Sequence, residues 1–235
     1  LLHNLYYRTC GNSGALCHQL DDHSTRTPKK RHFINMRSKN TAGVILGHKN
    51  INEADKLIFL YTENFGKIIA IAKGARKITS KFTGHLETLN FVKVELYFGG
   101  KYTLVKEIET IKNFKEIRDD LEKLKNTLKV AEITNKLTYE NEQIPNLTQL
   151  LENCIKLICS TKRPHVVIQS YTIKILNQIG VIPNFKEIET ALDKKYLKYL
   201  NFIKTKPMED AEKICLSMEE ERNVDRIIQR LLQYA

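Results

Sequence analysis

No stretch of about 18 consecutive apolar residues occurs anywhere in the chain, so no membrane-spanning helix is expected. The N-terminal stretch lacks the apolar core of a signal peptide, and Asp21 and Asp22 follow without a cleavage-like site. No secretory leader is expected either. Cysteine is sparse: Cys10, Cys17, Cys154, Cys159 and Cys215. An odd, scattered set does not make a disulfide framework and fits a reducing cytoplasm. Catalytic signatures are missing too, with no GxxxxGKS/T phosphate loop and no HExxH pair. Lys73-Gly74 resembles the start of an adenylating lysine motif, but Ala75 and Arg76 follow where that motif needs an acid. His48 and His85 stand alone, and Glu219, Glu220 and Glu221 fall on what reads as a solvated helix face. The chain is therefore read as a binding protein rather than an enzyme, with no cofactor.

What is present is a globular composition, 42% hydrophobic and 28% charged over 235 residues, enough for one large domain or two small ones. The formal net charge is +11, and it is uneven. Residues 37–115 hold 14 Lys/Arg against 7 Asp/Glu, whereas residues 116–235 hold 19 against 18. A basic segment followed by a near-neutral one suggests an anion-binding module attached to a packing or partner module.

Residues 1–35 show no sustained hydrophobic period, and the first methionine is Met36. They are expected to be a poorly structured, non-native extension. A metal site built from Cys10, Cys17, His18 and His23 is the rival reading. Six residues separate those cysteines, whereas zinc sites use tighter ligand pairs, so no metal is expected.

From Thr41 the pattern is that of strands. Short apolar runs occupy 43–48 (GVILGH), 56–62 (KLIFLYT) and 67–72, the last two joined by Asn64-Phe65-Gly66 as a hairpin with Gly66 left-handed. In 89–98, Val92, Val94, Leu96 and Phe98 alternate with Phe91, Lys93, Glu95 and Tyr97. Gly99-Gly100 turns the chain into a fifth run, 102–108. Five short strands with a longer insertion after the third match an OB-fold barrel, and 80–89 is expected to supply a short helix, capped by Ser80 or Thr79. Beyond Phe114 the period becomes helical. Ile117, Leu121, Leu124, Leu128, Ala131 and Leu137 form one stripe, and Leu147, Leu150, Leu151, Cys154, Ile155 and Ile158 another. Cys154 and Cys159 read as small core residues. Pro164 suits a first helical position and Gly180 a helix stop. Helices near 192–203 and 220–234 complete a bundle of five or six. The fold class is thus α+β, an OB-fold at 36–113 followed by a helical domain at 114–235.

The insertion between the third and fourth strands carries Lys73, Arg76, Lys77 and Lys81. Four cations on one connection at the end of a rigid barrel suit a polyanion such as nucleic acid, with a merely solvated loop as the plain alternative. Their side chains are expected to be exposed and unpaired. Arg37 and Lys39, just before the first strand, are expected to extend the patch. Tyr97 and Tyr102 flank the Gly99-Gly100 turn and are candidate platforms for stacking bases, with ordinary barrel packing as their rival role.

These residues carry a family resemblance. Glu53-Ala54-Asp55-Lys56, Thr62-Glu63 with Phe65-Gly66-Lys67, the run from Ala72 through Lys73-Gly74-Ala75-Arg76-Lys77, Ser80-Lys81-Phe82 and Leu86-Glu87 resemble the N-terminal domain of the bacterial RecO DNA repair and recombination proteins. The segment LNQIGVIPNF at 176–185 is similar to that family's Leu-x-x-x-Gly-x-x-Pro signature. The likeness spans roughly residues 41–185. It implies a recombination mediator that binds single- and double-stranded DNA and anneals complementary strands. It also implies action with a RecR-like protein and the single-strand DNA-binding protein SSB to load RecA, at the nucleoid in the cytoplasm. Many members carry a four-cysteine zinc module after the Gly-x-x-Pro segment. Here only Cys215 follows it, so a zinc-free variant is expected. An RNA-associated OB protein is the competing reading, since a basic OB-fold suits RNA equally well on charge alone.

Overall fold

The structure is a computed structural model that describes residues 38–99, 102–182 and 193–233. The readings placed on residues 1–35, on Arg37, on Gly100 and on the exit after Ile182 lie outside those residues. Five strands come first: β1 Ser38–Ile51, β2 Asp55–Thr62, β3 Gly66–Ala72, β4 Phe91–Tyr97 and β5 Thr103–Lys112. They close a barrel in the order β1-β2-β3-β5-β4, giving the OB-fold class expected.

β1 is longer than its apolar run because it serves two partners. Its first half pairs with β4, from Ser38↔Tyr97 to Val44↔Phe91. Its second half pairs with β2, from Gly43↔Thr62 to Ile51↔Asp55. Gly43 belongs to both ladders, and no side chain fits there against the Tyr61 carbonyl. The barrel closes by a short parallel contact, Ala70↔Thr103 and Ile71↔Leu104. Ile45, Ile58, Leu60, Ile68, Val92, Val94, Leu96 and Val105 fill its interior. Val44 and Leu46 instead join the helical core. The run GVIL is continuous rather than alternating because both of its faces are buried.

The helices are α1 Lys115–Arg118, α2 Leu121–Leu137, α3 Leu147–Ser160, α4 Pro164–Gln178, α5 Lys194–Thr205 and α6 Met218–Gln233, with a 3₁₀ turn at Met208–Lys213 before α6. Asp120 caps α2 by accepting from the Glu122 and Lys123 N–H groups at 3.0 and 3.1 Å. Pro164 opens α4. Gly180, at φ +76°, closes it, with the Val181 N–H donating back to the Leu176 carbonyl at 3.0 Å. α4 is the axis of the bundle, burying ten residues and packing against α2, α3, α5 and α6. Cys154 is fully buried and Cys159 packs at the edge of the same core.

Two expectations need correction. The stripe assigned to α2 is rotated, for Leu121 and Leu128 are 79% and 42% exposed while Thr127 and Thr134 are buried. The threonines enter the core because each hydroxyl donates within the helix, Thr127 to Lys123 O at 2.8 Å and Thr134 to Val130 O at 2.7 Å. Residues 80–89 form successive turns rather than a helix, and β4 begins at Phe91 because Leu89 adopts φ +69°.

A seam joins barrel and helices. The Tyr61 hydroxyl donates to the Ile144 carbonyl at 3.2 Å and accepts from the Ile144 N–H at 2.7 Å. Lys67 reaches from β3 to the last carbonyls of α2, Asn135 O at 2.6 Å and Thr138 O at 3.2 Å, a cation on a helix C-terminus. The left-handed Gly66 packs directly on the Glu142 backbone. The glycine marks a close approach as well as the hairpin turn.

Candidate nucleic-acid interface

The connection from β3 to β4, residues 73–90, caps one end of the barrel. Ala75, Phe82 and Leu86 are 9%, 5% and 2% exposed and belong to the barrel core. Apolar anchors at these spacings hold the connection down, and the residues between them face outward. Lys73, Arg76, Lys77 and Lys81 are all exposed, so the four cations that the sequence singles out face solvent along this one connection.

Bracing comes from the β1–β2 turn. Gly74, left-handed at φ +71°, donates its N–H to Asp55 Oδ1 at 2.8 Å. The Arg76 N–H donates to the Ala54 carbonyl at 2.9 Å, and its guanidinium donates to the Asn52 carbonyl at 3.1 Å. Arg76 is therefore exposed but not unpaired, which corrects the expectation for it. One of its five donors is committed, and the rest remain outward. The Gly74 N–H, with help from Asn52, Lys73 and Lys77, holds the Asp55 carboxyl below its ordinary range. Within the loop, Lys77 donates to Gly74 O at 3.1 Å and Ser80 to Lys77 O at 3.0 Å. Phe82 N–H donates to Ser80 Oγ at 3.2 Å, which is the capping role expected of Ser80 without the helix. Lys81 Nζ stands 5.7 Å from the Phe82 ring centroid. The far end of the connection is fixed by Asn90, buried at 1%. Its amide donates to Gly84 O and His85 O at 2.9 and 3.1 Å while its carbonyl accepts from Arg118 at 2.9 Å.

The other candidates form a second group. Cross-strand pairs Ser38↔Tyr97, Tyr97↔Leu104 and Ile71↔Leu104 make a row around the barrel. Tyr97 thus stands two strand spacings, about 10 Å, from Ile71. Lys39 pairs with Leu96, whose side chain lies in the barrel core. Directly opposed residues share a face, which explains why Lys39 is half-buried. Tyr97 is also half-buried. Lys106 Nζ sits 5.1 Å from its ring centroid, and Gly99 lies against its ring, so the ring is engaged in packing. Tyr102 is 56% exposed. Glu95 pairs with Glu107 and Lys93 with Glu109, and with Lys106 over Tyr97 and Lys112 opposite Phe91 the outer β4–β5 face carries mixed charge rather than a cluster of cations.

Reading the sequence missed the residues across from the loop. His48, Asn50 and Lys56 line, with Arg76, Lys77, Ile78 and Glu87, an open concavity of about 470 Å³. Neighbouring groups that desolvate it, and next Lys56, hold His48 below its ordinary pKa, against an opposing pull from Glu87. The β1–β2 ladder, Asn50↔Lys56 and His48↔Ile58, and the β2–β3 pair Lys56↔Ala72 together bring these residues beside the loop, and local pattern does not encode them. Among the described residues, no group of three or more His, Cys, Asp or Glu gathers to hold a metal ion. No helix among them is long and apolar enough to cross a membrane.

The model of the recombination protein O N-terminal family matches residues 36–114, and that of the recombination protein O C-terminal family matches residues 118–188. Among individual proteins, the chain is 30% identical over 165 residues to the DNA repair protein RecO of Acetivibrio thermocellus, covering 68% of this chain and 66% of the relative. It is 29% identical over 167 residues to that of a Thermoanaerobacter species, covering 71% and 67%. For the protein of the same name from Bacillus mycoides the figures are 26% over 143 residues, covering 61% and 58%. The matched region therefore spans about two thirds or less of these relatives.

Proposed function

Because the chain belongs to the recombination protein O family, we propose that it is a DNA repair protein that binds single- and double-stranded DNA without turnover. Residues 36–113 serve as the DNA-binding module and 114–235 as the helical partner module. In this reading the protein anneals complementary strands and, with a RecR-like protein and SSB, helps load RecA onto SSB-coated single strands. Its place is the nucleoid. One observation carries the DNA-binding claim: four exposed cations stand on a connection whose apolar residues are locked into the barrel end. A fixed cluster spends less ordering entropy on binding than a mobile one. Phosphate contacts read no bases, so binding is nearly independent of sequence.

The test is a salt titration of Lys77→Ala/Lys81→Ala on one single-stranded oligonucleotide. These two are better targets than Arg76, whose side chain also braces the loop. Removing one phosphate-binding cation flattens the log–log salt slope by about 0.7 on single strands and about 0.9 on duplex. The double variant should therefore lose about 1.4 units of slope on single strands, with unchanged melting. Unchanged affinity and slope in a folded variant would remove the loop as the DNA site. Tighter binding to an RNA of the same sequence would favour the RNA-associated reading. Pull-downs with purified SSB and the RecR-like protein, alongside a strand-annealing assay, test the partners.

A further inference from the structure

Ile78 stands at the tip of the basic connection with its side chain fully exposed, at 102% of the reference area. Its flanking residues are not loose. Lys77 and Ser80 are tied by backbone hydrogen bonds, and Ala75 and Phe82 are buried on either side. A large aliphatic group held in water forfeits the gain of burial. Here it is placed between Lys77 and Lys81, at the mouth of the concavity formed with His48, Asn50, Lys56 and Glu87. Its size, about 470 Å³, is within the range of small-molecule sites. The lining combines apolar surface from Ile78 with a rim that both donates and accepts hydrogen bonds. Asn50 offers an amide, Lys56 an ammonium and Glu87 a carboxylate. Such a rim does not select one base edge over another.

We propose that Ile78 and this concavity receive an unpaired nucleobase, while Lys77 and Lys81 hold the phosphates on either side. The inference rests on the loop being the DNA site, and it adds a division of labour. The cations act on any DNA, because every strand presents phosphates. The apolar tip acts only where bases are unstacked, because a duplex keeps its bases inside. The site therefore makes the protein favour single strands over duplex at equal charge.

Three ligands of equal length separate the contributions: a single-stranded oligonucleotide, its duplex, and a single strand of abasic residues. The full chain is compared as wild type, Ile78→Ser, Ile78→Phe and Lys77→Ala/Lys81→Ala, with thermal melts as the control for folding. We expect Ile78→Ser to lose about tenfold affinity for the base-bearing single strand, the lower part of the range for one base contact. It should bind the duplex and the abasic strand as wild type does, and Ile78→Phe should restore binding to the base-bearing strand. Binding of all three ligands by Ile78→Ser that is unchanged from wild type overturns the proposal, as does an equal loss on all three. If the lysine variant still weakens every ligand, the loop remains the DNA site and only the base contact falls. If the lysine variant binds all three normally, the loop reading itself falls. Vesicles of anionic phospholipid provide a further arm. Binding to them that Ile78→Ser abolishes, with DNA binding intact, assigns the tip to a lipid surface and refutes the base contact.

Discussion

Tyr61 and Tyr171 are both buried, at 1% and 0% exposure, and removing one hydroxyl from each should have very different costs. The Tyr61 hydroxyl donates to the Ile144 carbonyl and accepts from the Ile144 N–H, and Ile144 is itself 8% exposed. Tyr61→Phe strands the buried Ile144 N–H, while the Ile144 carbonyl keeps only a long bond from the Leu147 N–H at 3.4 Å. An unpaired buried donor costs about 1–3 kcal/mol. A cleft of about 550 Å³ beside Tyr61, Ile144 and Pro145 admits water that recovers part of the loss. We expect a net destabilisation of about 2 kcal/mol. The Tyr171 hydroxyl meets Thr134 Oγ1 at 2.5 Å, but Thr134 keeps its bond to Val130 O without it. No group is stranded, so Tyr171→Phe should cost about 0.5–1.5 kcal/mol. Urea unfolding measures both. With a slope of ~1–3 kcal/mol/M, the Tyr61→Phe midpoint should drop by roughly 1 M and that of Tyr171→Phe by about half as much or less. A Tyr61→Phe midpoint at or above that of Tyr171→Phe, at equal slope, refutes the accounting. A change of slope for Tyr61→Phe alone means that barrel and helices have begun to unfold separately.

Asp55 gives a test by sign. Asp55→Ala removes a negative charge beside the loop but also the acceptor for Gly74, so it should weaken DNA binding, while Asp55→Asn, which keeps an acceptor, should bind at least as tightly as wild type; equal tightening by both would show that the brace is irrelevant. Lys112 and next Lys156 hold the Glu152 carboxyl below its ordinary value of 4.5, through contacts of 2.5 and 2.6 Å. The stability this adds is present above the unfolded value and lost as pH falls through the folded one, so Lys112→Met should raise the Glu152 titration seen by NMR and flatten the acid limb of the melting curve. Cys154 is fully buried, its thiol pushed up by desolvation, and Cys215 is exposed. Alkylation at pH 7 followed by mass spectrometry should modify Cys215 before Cys159, and Cys154 only on unfolding.

The barrel was legible where one residue's neighbours in sequence decide its role. Alternation in β4 marks Val92, Val94 and Leu96 as interior, and they are. Gly66, Pro164 and Gly180 announce a turn, a helix start and a helix stop through backbone constraints that travel with the residue type. What was hidden depends on partners far along the chain. The parallel closure Ile71↔Leu104 and the Tyr61–Ile144 clamp join residues with no local signature. The α2 face was misread for a related reason. Hydrophobicity alone selects Leu121 and Leu128, whereas a threonine whose hydroxyl is satisfied within its own helix is nearly as buriable, so Thr127 and Thr134 took the core positions.

The candidate site divides in the same way. Charge clustering shows in composition, and Lys73, Arg76, Lys77 and Lys81 needed only a barrel to stand on. Their orientation did not show, because it is set by Ala75, Phe82 and Leu86, whose spacings of seven and four read as one face of a helix where the chain forms successive turns instead. Nor did the brace, since Asn52, Ala54 and Asp55 reach the loop only because β2 and β3 pair from Lys56↔Ala72 to Thr62↔Gly66. That ladder sets the β1–β2 turn beside residue 73. A basic loop with the same charges but without the anchors would attract DNA from a distance, through a field that salt screens within about 10 Å. It would then have to order itself on contact. Here the backbone of the connection is held by the packing of Ala75, Phe82 and Leu86 into the barrel, which salt does not screen. On the proposal that this loop binds DNA, raising the salt concentration should release DNA without loosening the loop. Hydrogen exchange of the Gly74 and Arg76 amides at low and high salt separates the two cases, and protection that disappears together with DNA affinity would show that the loop is not preformed.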